Sequence, residues 1–169
     1  MDFLADAIAA LELTPRRAEE LVQGLTEQQL SWRASDDNFS LRENVLHLRD
    51  IDVEGYEHRV RLILTEDCPV LPDVDGGRLA VERDYNAQPV APALQDLRRS
   101  RAASVERLKG CSEADLERDA EMQGVGLITL RRLLELWIEH DREHLADMAE
   151  LRRAIDTGEA PSFAQHQAA

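Results

Sequence analysis

Between Thr129 and Gly158 the chain reads "TLRRLLELWIEHDREHLADMAELRRAIDTG", with no glycine or proline inside. This spacing predicts one long helix from Thr129 to about Asp156, with Gly158 as its stop. Leu133, Trp137, Leu151 and Ile155 fall within about 60° of one another on it at ~100° per residue. A helix with such a stripe must bury it against something else.

The remaining segments repeat the pattern. "SLRE" is a capping box, with Ser40 as cap and Glu43 at the third position, and predicts a helix over roughly 41–66, ending before Pro69. A third helix is expected from about Pro92 to Lys109, stopped by Gly110. In "TPRRAEELVQGL", Thr14 reads as an N-cap with Pro15 at the first helical position. The preceding "DFLADAIAALEL" is also helical in pattern, so Thr14-Pro15 marks a kink or a fresh start. "TEQQL" (Thr26 with Gln29) predicts one extra turn before the loop "SWRASDDNF", and "SEADLERDAEM" another before "QGVG" breaks the chain. "CPVLPDVDGG" reads as a loop, and a short hairpin within 68–90 stays open.

Four main helices without a convincing alternating strand give an all-α fold, a four-helix bundle with short extra turns in its connections. We expect one domain over 1–157 and a flexible tail over 158–169. The apolar bulk is mostly Leu, Ala and Val, with only 4% aromatics, which suits helices.

Charge narrows the partners. Net charge is −14, from 34 acids against 20 bases. Nucleic acid and anionic membrane surfaces both demand a basic face, and the densest basic stretch is only "LRRSRAA" (Arg98, Arg99, Arg101). Cys68 and Cys111 lie far apart and read as two free thiols. The N-terminal residues carry acids where a signal peptide carries bases, and no apolar run is long enough to span a membrane. These features predict a cytoplasmic protein that acts on a small molecule.

The chemistry-bearing residues are histidines: His47, His58, His140, His144 and His166. His140 and His144 differ by about 40° around the last helix and lie on its apolar stripe. His47 leans inward with Ile51 on the second helix. His58 falls on the same face as His47 but about 16 Å further along the axis, too far to share an ion. His166 lies in the tail and is discounted. Three imidazoles suit a divalent ion with one position left open. Spacing alone leaves open the alternative of three core histidines hydrogen-bonded to acids. "HDREH" also matches H-x-x-E-H, with Glu143 as a would-be base, but it fits H-E-x-x-H poorly because Asp141 stands in the glutamate's place, and it leaves His47 without a role.

Taken together, "TPRRAEELVQGLTEQQLSWRAS", "NFSLRENVLHLRDID" and "TLRRLLELWIEHDREHLADM" resemble the DinB/YfiT-like superfamily of metal-binding four-helix bundles, which is distinct from the DNA polymerase called DinB. The resemblance covers about 14–155. It implies a metal site on His47, His140 and His144, the same trio the helix geometry selects. One departure is Phe39, where the family often has Trp before the capping serine. The resemblance further implies a metal-dependent enzyme, with zinc or nickel first among the ions. Relatives include thiol transferases using a low-molecular-weight thiol and a maleylpyruvate isomerase. Two alternatives stay beside a thiol transferase: a metal-dependent hydrolase, and a non-catalytic, stress-linked metal-binding bundle. Asp50 and Asp147 are candidates to orient imidazoles, with a solvated acid as the competing reading. Arg49 and the Arg98–Arg101 cluster are candidates for a cofactor carboxylate. A homodimer is expected from the long amphipathic helices and from the habit of the family.

Overall fold

The computed structural model describes residues 2–163. Four long helical rods form the body: α1 (Phe3–Val22), α3 with α4 (Leu41–Asp50 and Glu57–Thr65), α6 (Val90–Lys109) and α8 (Leu130–Thr157). Short elements fill the connections: α2 (Glu27–Leu30), β1 (Val70–Leu71), α5 (Gly76–Glu82), a 3-10 turn (Tyr85–Ala87), α7 (Glu113–Leu116), β2 (Asp119–Met122) and β3 (Gly126–Thr129). α1 packs on α6 and α8, and α3 packs on the same two from the opposite side. The chain therefore crosses the bundle diagonally from α1 to α3, steps to the neighbouring α6, then crosses again to α8. This is the expected four-helix bundle, with its elements in an order that short up-and-down connections would not give.

The caps explain most boundaries. Ser40 and Glu43 form their capping box, as do Thr26 with Gln29 and Ser112 with Asp115. Thr129 caps α8, and Gly158 ends it with a positive φ of 75°, which a residue without Cβ adopts freely.

Three expectations change. First, Thr14 does not start a helix, because α1 runs unbroken through Pro15. Proline cannot bond the Leu11 carbonyl one turn back, and the Arg101 guanidinium donates to that carbonyl instead (2.9 Å). Second, the 68–90 region holds α5, capped by Asp75, rather than a hairpin. The hairpin lies further on, where β2 pairs antiparallel with β3 and β1 adds a parallel edge. Its turn uses Gly124 and Gly126, both at positive φ, and "DAEMQGVGLIT" alternates just enough to bury Ala120 and Ile128. Third, the helix over 41–66 carries a π turn at Ile51–Tyr56. Wider turns change the register, so faces extrapolated across it fail. His58 is half-buried and meets Arg61 (2.7 Å) instead of continuing the face of His47. Tyr56, nine residues past His47 and thus about half a turn away on an ideal helix, is buried toward α8, stacked on Trp137.

The apolar core divides in two along the bundle. One cluster holds Leu11, Val60, Val105, Leu133 and Trp137. The other holds Ala18, Val45, Leu97, Met148 and Leu151. Between them each rod contributes a buried polar residue: Thr14 from α1, Asp52 from the π turn, Arg101 from α6 and Asp141 from α8. His47, His140 and His144 sit at this same waist. Among the described residues, no helix is long and apolar enough to cross a membrane. His166 lies outside the described residues, as does the rest of 164–169, half of the tail.

Candidate metal centre

α3 brings His47 and α8 brings His140 and His144 to one point. Each offers a ring nitrogen, and the three nitrogens lie within 4.8 Å of one another. The Nε2 atoms of His47 and His140 are 3.1 Å apart. Two nitrogens bound tetrahedrally to one zinc at 2.0–2.1 Å would stand about 3.3 Å apart, so the spacing matches a shared ion closely. The ring centroids lie 4.4–5.2 Å from one another.

The outward nitrogens decide which way the lone pairs point. Asn44 Nδ2 donates to the Ser40 carbonyl (2.9 Å), which turns Asn44 Oδ1 toward the site. That oxygen lies 2.8 Å from His144 Nδ1. The nitrogen must therefore be the donor, so Nε2 carries the lone pair of the His144 ring. Over His47 the fit is steric. A Cβ on Gly76 would lie 2.3 Å from His47 Cε1 and 2.8 Å from Nδ1, so the backbone at the start of α5 packs directly against that side of the ring. His140 Nδ1 is buried without a hydrogen bond and faces Asp141 Oδ1 at 3.7 Å.

Burial, reinforced by the charge that His140 would carry, pushes the His47 imidazole down to about 3, against the pull of Asp50 and the Gly76 backbone. At neutral pH the ring is neutral, the state in which it ligates. Three imidazole donors gathered at one point suit a divalent ion, and the group can hold one. Phe39 closes part of the site, its ring 5.3 Å from His47 and 6.4 Å from His144. Tyr56 closes another part, 5.7 Å from His140.

The structure sorts the other candidates. Asp50 is buried, yet neither solvated nor bonded to an imidazole. Its carboxylate accepts from Arg49, Arg83 and Tyr85, each at 2.6 Å. Arg49 is thereby committed too. Asp147 is half-buried. Glu143 is exposed. Arg98 and Arg99 are exposed, but Arg101 is fully buried between Asp52 and Asp141 (2.8 and 2.6 Å). Asn44, Gly76 and Asp141 escaped the sequence reading. Asn44 stands one residue short of a turn before His47, a usable signal. Gly76 sat inside "DGG", which reads only as a loop. Asp141 was judged only by its misfit to a peptidase motif.

Comparison with known proteins agrees with this geometry. A family model described as the DinB superfamily matches residues 10–148. A protein of Oceanobacillus iheyensis is 26% identical over 149 residues, covering 88% of this chain and 86% of its own. A protein of Geobacillus kaustophilus is 28% identical over 147 residues, covering 86% and 82%. Both carry provisional names as metal-dependent hydrolases. The solved structure of YfiT from Bacillus subtilis superposes with a TM-score of 0.84 at 25% identity, covering 90% of this chain and 87% of that one. It is described as a four-helix bundle of unusual topology, with the same provisional hydrolase designation.

Proposed function

Because this chain belongs to the DinB superfamily, we propose that it is a metal-dependent hydrolase whose divalent ion is held by His47, His140 and His144. The observation that carries this reading is the convergence of three imidazole nitrogens, with His144 held in one tautomer by Asn44. The provisional names of the relatives support the reaction class. Zinc and nickel are the proposed ions, since both accept imidazole readily. When bound, such an ion polarises a substrate carbonyl and lowers the pKa of a coordinated water or thiol.

The chain's own residues hold the frame. Asn44 keeps His144 in one tautomer, and the close approach of Gly76 confines the His47 ring. Phe39 and Tyr56 wall the site with apolar surface and exclude water from two sides. The Tyr56 hydroxyl is already spent on the Leu136 carbonyl (3.2 Å), so it serves as a wall and not as an acid.

A second reading uses the same ligands with a low-molecular-weight thiol, attacking an electrophile as a thiolate. Its support is that three neutral ligands leave an uncompensated positive ion, which favours an anionic sulfur. One experiment separates the readings. Protein purified without a metal-affinity tag is analysed for metal, then assayed on simple esters and amides with and without bacillithiol, mycothiol or glutathione. Hydrolysis without thiol supports the first reading. Turnover only with thiol replaces it by the second. Stoichiometric metal with no turnover in either assay leaves a non-catalytic bundle. Absence of stoichiometric metal in the wild type, or its retention in His140→Ala, overturns the ligand assignment.

A further inference from the structure

Arg101 is the feature the site chemistry does not use, and it is fully buried in the middle of the bundle. Burying a guanidinium costs several kcal/mol unless its partners compensate it well. Its Nη1 donates to Asp141 Oδ2 (2.6 Å) and to the Leu11 carbonyl, and its Nε donates to Asp52 Oδ1 (2.8 Å). Thr14 Oγ1 donates to the same Asp141 Oδ2 (2.7 Å). The guanidinium also lies over the Trp137 ring, 4.7 Å from its centroid. Asp141 is thus gripped through Oδ2 from two other helices, and its Oδ1, which takes only a long contact from Arg101 Nη2 (3.4 Å), lies toward His140 Nδ1, 3.7 Å away. That nitrogen is buried and has no other hydrogen-bond partner among the described residues.

We propose that Asp141 is the positioning residue of His140, its carboxylate aimed by Arg101 and Thr14 at the ring nitrogen that faces away from the ion. This inference rests on the metal reading above. Each ligand then has its own support, built from a different chemistry: an amide for His144, a backbone surface for His47 and a carboxylate for His140. Carboxylates behind ligating histidines fix the tautomer and raise the basicity of the inner nitrogen. The distance of 3.7 Å is longer than a hydrogen bond, and a small rotation of the ring closes it without disturbing the grip on Oδ2. The carboxylate also places a negative charge behind three ligands that carry none.

The test compares zinc affinity, by competition with a chromophoric chelator, in the wild type, Asp141→Asn and Asp52→Asn. The visible spectrum of the cobalt-loaded forms is recorded alongside, with folding checked by circular dichroism. Asp52→Asn alters the same buried cluster without touching a histidine. We expect Asp141→Asn to weaken zinc by about 10–100-fold and to shift the cobalt bands, with Asp52→Asn leaving both unchanged. Should Asp141→Asn not fold, the zinc-loaded wild type decides by nitrogen-15 NMR of the imidazoles, where a slowly exchanging, downfield Nδ1 proton on His140 is expected. Wild-type affinity in a folded Asp141→Asn, equal losses in both variants, or a His140 Nδ1 without that proton overturns the positioning role. A wild type that binds no zinc overturns the ligand assignment itself, a different failure from an Asp141→Asn that binds as well as the wild type.

Discussion

Two clusters share the polar waist of this bundle and stand in opposite conditions. Around Arg101 the strong charges meet inside the protein: one guanidinium, two carboxylates, a threonine hydroxyl and a backbone carbonyl, drawn from all four rods. Around His47 the ring nitrogens meet one another, with two Nε2 atoms at 3.1 Å, Asn44 behind His144, and His140 Nδ1 without a hydrogen bond among the described residues. Buried polar groups are normally satisfied. The first cluster pairs its charges internally, although Asp52 Oδ2 has no hydrogen-bond partner among the described residues, whereas the second brings three imidazole nitrogens together. Depth in the core does not distinguish structure from function here; the pairing of opposite charges, against the gathering of like ring nitrogens, does.

The sharpest way to break this contrast is to unbalance the charge-paired cluster. Arg101→Met leaves Asp52 and Asp141 buried without their cation. Removing one partner of a buried ion pair costs about 3–5 kcal/mol, which chemical denaturation of the metal-free protein would read directly. His140→Ala in the same metal-free state should cost far less, because the ring has few polar bonds to lose. A loss for Arg101→Met no larger than that for His140→Ala would mean the two clusters do not differ in the way described.

The same contrast explains what the sequence could reveal. Helix periodicity is a local signal, and so are caps, so the rods and their ends were legible from Ser40, Thr129 and Gly158. The histidine trio was legible because each ring lies on an apolar stripe. Arg101 was not, since its partners sit 40, 49 and 90 residues away on other helices. Nothing near "RRSRAA" separates a solvated arginine from a buried one. The π turn was hidden for a similar reason: "IDVEGY" carries no breaker, and its wide turn places Asp52 against Arg101 and Tyr56 against Trp137. The failed extrapolation to His58 follows from that unseen register change.

A second prediction disturbs the histidine cluster from outside. Gly76→Ala brings a methyl to 2.3 Å from His47 Cε1, so the ring must move. The backbone there is not in the left-handed region, so strain in the chain itself is not the issue. Zinc affinity should fall by about 10–100-fold, the usual cost of disturbing the surroundings of a ligand, as measured by chelator competition. Gly77→Ala is the matched control, because its Cβ meets only Asp75 Oδ1 at 3.5 Å. Equal behaviour of the two variants would remove Gly76 from the account of the site.

Acid should expose the neutral state of the histidine cluster. His47 is held at about 3 when folded and returns to about 6.5 when unfolded. Between those values the unfolded chain binds the extra proton, so stability rises with pH and falls as pH drops from about 6.5 toward 3. The slope from one such group approaches about 1.4 kcal/mol per pH unit. Urea titrations of the metal-free protein between pH 7 and 5 should show it, and His47→Asn should flatten it. An unchanged slope in the variant would place the acid sensitivity in other groups.

The smallest effect tests whether folding and site can be separated at Ser40. Its side chain closes the capping box with Glu43 and reaches Asn86 (2.7 Å), whereas its carbonyl holds Asn44. Ser40→Ala therefore removes the cap and keeps the carbonyl. Loss of such a cap costs about 1 kcal/mol, visible as a shifted urea midpoint. Zinc affinity should stay at the wild-type value, because Asn44 still points its oxygen at His144. If affinity falls together with stability, the support of His144 extends to the capping box, and the line drawn here between the frame of the bundle and the frame of the metal centre would move outward by one turn of α3.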